Sequence, residues 1–280
     1  MKSIIIPAYN EANLLPNTLA SLLADDALTD CKIFIVCNGC TDNSVDVMQL
    51  FATSVAQKNN MKQITIDVVD EKKPSKTHAL NVGLSLTDND AVVLLDADIL
   101  VTGQCVMSLF EQLELRKLKA VSPRVAFDTA KSSKWVSHYY QVEQRSHYNQ
   151  TLRLSNVIAL SAQAVKELNQ FPDVIADDEY LRRSFSNTDY AILSEFSFSF
   201  IAPRNIYSLI TVLARVERGN IQLDQMGHFS AGVTSGNRAP QKLVARLIFI
   251  TTKLCAKVLA RVEYHFGRRN KWHRDLSNRC

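Results

Sequence analysis

Four aliphatic runs, each followed by a helix-like stretch, narrow this chain's options more than any other feature. Ser3-Ile4-Ile5-Ile6-Pro7, Ile33-Phe34-Ile35-Val36, the run from Ile64 to Val69, and Val92-Val93-Leu94-Leu95 all fall within the first 115 residues. Runs this rich in β-branched and aliphatic residues read as strands buried on both faces. After the first run Leu14, Leu15, Leu19 and Leu22 recur at helical spacing; after the third, Ala79, Leu80, Val82 and Leu86 do so. Such alternation predicts βαβ units in an open, mostly parallel sheet flanked by helices. The 280 residues suffice for one large α/β domain or two small ones.

Every one of these runs ends in polar residues: Asn10 and Glu11, Asn38 and Asp42, Asp70, then Asp96 and Asp98. In an open parallel sheet they line the carboxyl edge, where ligands bind. Asp96 and Asp98 repel one another unless a cation or a hydrogen-bond network offsets their charge. A hard divalent cation takes one or two carboxylates together with substrate phosphates, which suggests a metal–diphosphate site. The plainer alternative is a strand end at Asp96 and a helix cap at Asp98. No Gly-x-Gly-x-x-Gly follows the first strand and no Gly-x-x-x-x-Gly-Lys-Ser/Thr is present, which disfavours a dinucleotide fold and excludes a P-loop.

Local signals place the remaining elements. Thr41 is positioned to cap a helix running through Leu50, and Ser75 one beginning at Lys76. A further helix is expected over 106–115, strands at 120–123 and 157–160, and a polar, aromatic-rich helix over 134–153. His138 and His147 in that helix have no partner at metal spacing. Asp177-Asp178-Glu179 opens a short helix with its acids at the favourable end of the dipole. Phe196, Phe198 and Phe200 alternate as in a half-buried strand, and 207–217 reads as a helix closed by Gly219.

On these residues the chain resembles a family-2 glycosyltransferase of the GT-A fold, from about Ser3 to Gly219. Ile5-Ile6-Pro7-Ala8-Tyr9-Asn10-Glu11 is similar to the family's opening nucleotide-binding turn, and residues 38–44 to its second turn. Lys76-Thr77-His78-Ala79-Leu80-Asn81-Val82-Gly83 matches its Lys-x-x-Ala-Leu-Asn-x-Gly segment. Asp96-Ala97-Asp98 matches its Asp-x-Asp, and Asp177-Asp178 its acidic pair. The resemblance implies a Rossmann-like GT-A domain over 1–225, with a nucleotide-sugar half (1–100) and an acceptor half (101–225); residues 240–280 read separately, from their own pattern, as a basic amphipathic C-terminal helix and tail. It implies an inverting transfer from a nucleotide-diphosphate sugar to an acceptor hydroxyl of a glycan or lipid-linked substrate, as in envelope polysaccharide or glycolipid synthesis. Asp98, with Asp96, would hold Mn²⁺ or Mg²⁺. Pro7, Ala8, Tyr9, Glu11, Asn38, Asp70, Lys76, Asp96, Ala97, Arg215 and Arg218 would contact the donor. Asp178, or else Asp177, would act as general base.

This sequence also departs from the family pattern. Cys37-Asn38 stands where many members carry two acids, leaving Asp70 as the alternative contact to the base. Ser75-Lys76 replaces the usual Gly-Lys. The Gln-x-x-Arg-Trp motif is absent, Arg215-Val216-Glu217-Arg218-Gly219 being a looser match, which disfavours a processive polysaccharide synthase. A nucleotidyltransferase is the alternative enzyme class, though Tyr9-Asn10-Glu11-Ala12 lacks its glycine- and arginine-rich signature. A non-catalytic nucleotide-sugar-binding or membrane-adaptor protein is the other alternative.

Charge and cysteines bear on partners and compartment. Net charge is only +4, and no nucleic-acid partner is expected. Residues 240–280, however, carry ten Lys/Arg against Glu263 and Asp275. Arg246, Lys253, Lys257 and Arg261 fall within about 80° of one another on a helix, beside an apolar stripe of Leu247, Ile250, Leu254 and Val258. Such a helix either lies in an anionic membrane surface or packs on the domain with its basic face in water. Of the six cysteines only Cys37 and Cys40 are close in sequence, and nothing completes a zinc site. They read as incidental or structural thiols of a reduced, cytoplasmic protein, peripheral on the inner face of the membrane if the basic helix touches lipid.

Overall fold

In chain order the strands of the computed structural model are β1 (Lys2–Ala8), β2 (Cys31–Asn38), β3 (Ile64–Glu71), β4 (Val92–Leu95), β5 (Ala120–Asp128), β6 (Val157–Leu160) and β7 (Tyr190–Ile201). The helices are α1 (Leu15–Leu22), α2 (Ser44–Lys58), α3 (Lys76–Ser85), α4 (Gly103–Arg116), α5 (Lys134–Ser146), α6 (Ala162–Leu168), α7 (Asp177–Ser184), α8 (Ile206–Gln225) and α9 (Leu243–His265). The structure describes residues 2–58, 63–88, 90–146, 153–229 and 243–266. His147, the end of the helix expected over 134–153, residues 240–242 and the basic residues beyond 266 lie outside them.

The strands form one sheet in the order β3-β2-β1-β4-β6-β5-β7. β1, β2, β3 and β4 are parallel, as the alternation predicts, while β6 runs antiparallel to both β4 and β5. The chain moves outward from β1 to β3, then returns to β4 on the other side of β1. That reversal makes the carboxyl ends of β1 and β4 the switch point of the sheet, where an α/β fold opens a crevice.

Two compact units share the chain. The first comprises residues 1–124, 154–173 and 185–198; the second comprises 125–153, 174–184 and 199–280. The first buries the aliphatic runs: Ile4, Ile5, Ile6, Ile33, Ile35, Val92 and Val93 are fully enclosed. The second has its own core, in which Val136, Tyr139, Tyr140, Leu209 and Phe249 meet, with the Tyr139 and Phe249 rings stacked 5.0 Å apart.

Several local expectations are corrected. Thr41 does not cap α2, which begins at Ser44 and runs on to Lys58. The Asp42 carboxylate takes the Ser44 N–H instead, at 3.0 Å. Thr102, not Asp98, caps α4, accepting from the Cys105 N–H. Ser75 caps α3 as expected. α8 does not stop at Gly219 but continues to Gln225. A Cβ on Gly219 would stand 2.6 Å from the Ala176 Cβ, so the glycine lets α8 approach the start of α7 rather than ending a helix.

Candidate donor edge and acidic turn

In the first unit, the loops after β1, β2, β3 and β4 converge on the carboxyl edge of the sheet. Asn10, at φ +54°, accepts from the Thr41 N–H at 2.7 Å and donates to the Thr41 hydroxyl at 3.1 Å. The Glu11 N–H donates to Ser44 Oγ at 2.8 Å, and the Glu11 carbonyl receives Leu14 and Leu15 at the mouth of α1. Glu11 is buried and Tyr9 half-buried. The Asn38 amide is spent inward, donating to the Ala8 carbonyl at 2.8 Å, so it ties β2 to the end of β1. Pro7 and Ala8 are buried in register with Val36 and Cys37. Gly39, at φ +65°, donates to the Glu71 carbonyl and lies so close to Pro74 that a Cβ would reach 2.7 Å from it. Asp70 is exposed and paired with Lys72; Glu71 and His78 Nε2 pair at 2.9 Å.

The acids after β4 differ from one another. Asp96 is clamped on both carboxylate oxygens: Lys76 Nζ lies 2.8 Å from Oδ1, and Asn156 Nδ2 donates to Oδ2 at 2.8 Å. The Asp96 N–H also donates to the Asn156 carbonyl at 2.9 Å, and Asn156 sits at φ +54°. Ala97 is buried, its carbonyl accepting from Thr18 Oγ1 at 2.8 Å, whereas the Asp98 side chain is exposed. Hydrogen bonds to ionised groups are the stronger kind, so this clamp fixes a carboxylate at the β1/β4 switch point. Asp98 and Asp96 would supply oxygen to a hard cation, and diphosphate oxygens would complete the shell. No group of three His, Cys, Asp or Glu able to hold a metal by itself occurs among the described residues.

Asn156 appears in no motif. It arrives because β6 is antiparallel to β4, pairing Leu95 with Val157 and so bringing the residue before β6 to the end of β4. Strand direction cannot be read from a four-residue aliphatic run. The one local signal is an asparagine just before such a run, a residue type that tolerates left-handed backbone.

In the second unit, α7 presents the acidic turn. Asp177 is buried and Asp178 half-buried, with Asp178 Oδ1 accepting from the Glu179 N–H at 2.8 Å. Glu179 turns back along the helix. It receives Arg182 Nε and Nη2 at 2.7 and 2.6 Å, and Arg183 Nε at 2.8 Å. Burial pushes its pKa up, but the two guanidiniums outweigh that and hold the carboxyl below the usual range. Arg183 continues to Asp224 at 2.7 Å and Asn220 at 3.0 Å on α8. The turn before α7 is fixed the same way, the Ile175 N–H donating to Gln222 Oε1 at 2.9 Å.

The two basic residues expected to contact a diphosphate differ in environment. Arg218 is fully buried and hydrogen-bonded to Glu263 of α9. Arg215 is half-buried, and its Nε is enclosed without a hydrogen-bond partner among the described residues. α9 meets its neighbours through Ala245, Phe249, Thr252, Ala256, Ala260 and Tyr264. Of the expected basic stripe, Arg246, Lys257 and Arg261 are exposed, whereas Lys253 is half-buried, 3.7 Å from Glu143 and 4.5 Å above the Phe249 ring. Burial pulls the Lys253 pKa down despite Glu143.

Residues 3–183 match the sequence pattern of Glycosyl transferase family 2. Glycosyltransferase GlyG of Streptococcus pneumoniae serotype 4 (strain ATCC BAA-334 / TIGR4) is 24% identical over 112 residues, 40% of this chain and 35% of GlyG, so the match spans about a third of that protein's length. Among solved structures, mannosyltransferase PcManGT from Pyrobaculum calidifontis, in complex with GDP-Man and Mn2+, superposes with a TM-score of 0.61 at 18% identity, covering 97% of this chain and 76% of that one. S. aureus TarS 1-349 in complex with UDP gives 0.52 at 13% identity, covering 96% and 73%. The open, mostly parallel mixed sheet with flanking helices is thus a GT-A-like fold, extended by C-terminal helices.

Proposed function

Because the chain belongs to glycosyl transferase family 2, we propose that it moves a sugar, with inversion, from a nucleotide-diphosphate donor bound at the carboxyl edge of β1 and β4 to an acceptor hydroxyl. The clamp on Asp96 carries this reading. A carboxylate held on both oxygens, beside a lysine and two residues from exposed Asp98, is a preorganised place for a diphosphate and its counter-ion. A divalent cation held by Asp98 and Asp96 would act there as a Lewis acid toward the departing diphosphate. Lys76 and Arg215 add positive charge to that group. Arg218, already committed to Glu263, ties α8 to α9 instead. The loops of Tyr9–Glu11 and Asn38–Ser44, with Asp70, surround the nucleoside. Asp178, in the first turn of α7, takes the acceptor proton. Direct attack by the acceptor inverts the anomeric centre.

The test is a thermal-shift panel of nucleotides and nucleotide-sugars, with and without Mn²⁺, on the wild type and Asp98→Ala. Ligand at a hundredfold excess over its dissociation constant adds about 2.7 kcal/mol of apparent stability. A metal-dependent rise with one nucleoside diphosphate, lost in the variant, is expected. No rise with any nucleotide overturns the reading.

A second element of this proposal concerns the acceptor, which we place on an anionic membrane surface. The supporting observation is the outward face of α9. Leu247, Ile250, Leu254 and Val258 are 54, 44, 57 and 62% exposed, flanked by Arg246, Lys257 and Arg261. No described helix is long and apolar enough to cross a membrane, but an apolar ridge edged with cations suits the headgroup plane, each cation near anionic lipid contributing roughly 1 kcal/mol. Vesicles containing phosphatidylglycerol should sediment the protein and neutral vesicles should not. Equal recovery with both, or full activity on a lipid-borne acceptor after deletion of 240–280, rules this out.

A further inference from the structure

Three residues of α3 hold other parts of the first unit. Lys76 grips Asp96. Gly83 seats the helix on β1, where a Cβ would stand 2.3 Å from Ile5 Cγ2. Asn81 holds Phe171 by both of its backbone groups. Its Oδ1 accepts from the Phe171 N–H at 2.7 Å, and its Nδ2 donates to the Phe171 carbonyl at 2.9 Å. Phe171 itself is buried, so its backbone needs these partners, and a side-chain amide supplies both. The chain enters this clasp through strained backbone. Asn169, which ends α6, lies at φ +56° and ψ −63°, and the Gln170 N–H donates to the Leu168 carbonyl at 2.6 Å. That is the rarer, strained kind of three-residue turn. Strain of this sort persists only where its surroundings over-determine it, and it gathers at functional sites.

From Phe171 the chain has six residues in which to reach Asp177, so the two Cα atoms stand within about 20 Å of each other by any path. Pro172 fixes its own φ and steers Phe171 away from helical backbone. The chain passes into the second unit after Asp173, and there Gln222 takes the Ile175 N–H. Residues 172–174 alone separate the two amide contacts. We propose that Asn81 is a positioning residue for the acidic turn of α7: it references the start of the segment leading to Asp177 and Asp178 to the same helix that grips Asp96. Lys76 and Asn81 are about 7.5 Å apart along α3, and groups carried by a rigid element keep their spacing better than groups on loops. A loosened Phe171 frees the segment beyond it and spreads the positions open to Asp178. The effect on transfer rests on Asp178 being the base; the ordering of the segment by Asn81 does not.

The experiment follows amide hydrogen exchange and turnover in the full chain, for the wild type, Asn81→Ala and Asn81→Asp, each with and without Asp178→Asn. Asn81→Asp keeps an acceptor for the Phe171 N–H and loses the donor, and it carries the test where Asn81→Ala folds poorly. Without ligand, exchange of the Phe171 amide should rise roughly tenfold in Asn81→Ala and less in Asn81→Asp, with β1 and β4 unchanged. The Ile175 amide, which Asn81 does not touch, should rise roughly threefold with it. No rise at Phe171, an equal rise in β1 and β4, or an Ile175 amide as protected as in the wild type overturns the ordering. Turnover is the release of nucleoside diphosphate, with Mn²⁺ and water as acceptor, from the nucleotide-sugar that the thermal-shift panel selects. Asn81→Ala should lower kcat on the order of a hundredfold, as a misplacement of about 1 Å does, while KM stays within about twofold. In the Asp178→Asn background the same substitution should cost under about threefold, because the group it positions is already gone. An undiminished cost there, or a kcat that Asn81→Ala leaves alone, overturns the positioning role. Full turnover by Asp178→Asn on its own sinks the assignment of the base instead, and the two amides then decide what Asn81 orders.

Discussion

Asp96 and the acidic turn of α7 are both fixed carboxylate sites, but they are held by opposite means. Asp96 is clamped by single side chains from distant segments, Lys76 and Asn156, in a half-open setting. The α7 turn is held by buried guanidiniums and by one helix pressed against another, with Glu179, Arg182, Arg183 and Gln222 interlocked and Gly219 against Ala176. The first arrangement leaves a carboxylate exchangeable toward a ligand at little cost to the fold. The second makes its acids part of the fold itself. Stability and ligand response should therefore separate at the first site and move together at the second.

The largest effect should come from Glu179→Ala, which takes a carboxylate partner from two almost fully buried guanidiniums. Breaking a buried pair costs about 3–5 kcal/mol, and with Asp224 and Asn220 still serving Arg183 the lower end is expected by denaturant titration. Because the folded pKa of Glu179 lies below its unfolded one, its contribution is fully present above the unfolded value, about 4.3, and fades as pH falls through the folded one. Glu179→Gln should flatten that acid limb. Next, Gly219→Ala should cost about 1–3 kcal/mol by overpacking against Ala176, and turnover should fall with it.

At the other site the order reverses. Asn156→Gly keeps the left-handed backbone and removes only the side-chain bond to Asp96. A loss near 1.5 kcal/mol of stability should accompany a larger loss of nucleotide-induced thermal shift. Lys76→Ala should change stability by under about 1 kcal/mol, as partly exposed pairs do, yet remove most of the nucleotide response. Comparable losses of stability and nucleotide response in these two variants would erase the contrast.

What could be read from the chain follows the same division. The strands β1 to β4, the caps at Ser75 and the acidic opening of α7 are local patterns and appear where expected. Asn156 is invisible because its role depends on the direction of β6, a pairing across 60 residues. Gly219 looks like a helix stop because glycine commonly ends helices; only the approach of Ala176 shows why it sits mid-helix. In α9 the periodic apolar stripe points outward, because small residues such as Ala245, Ala256 and Ala260 make the close contact. Hydropathy gives a helix its stripes but does not say which one meets the protein.

The antiparallel placement of β6 also bears on how the chain is made. A nascent chain that has emerged only as far as α4 already carries both polar turns, the Lys76 helix and both acids after β4. Its β4 still shows an open edge on the side β6 will cover, four aliphatic residues long, and exposed edges of that kind recruit other strands. Both the cover for that edge and the second grip on Asp96 come off the ribosome together, 60 residues after Asp96 itself.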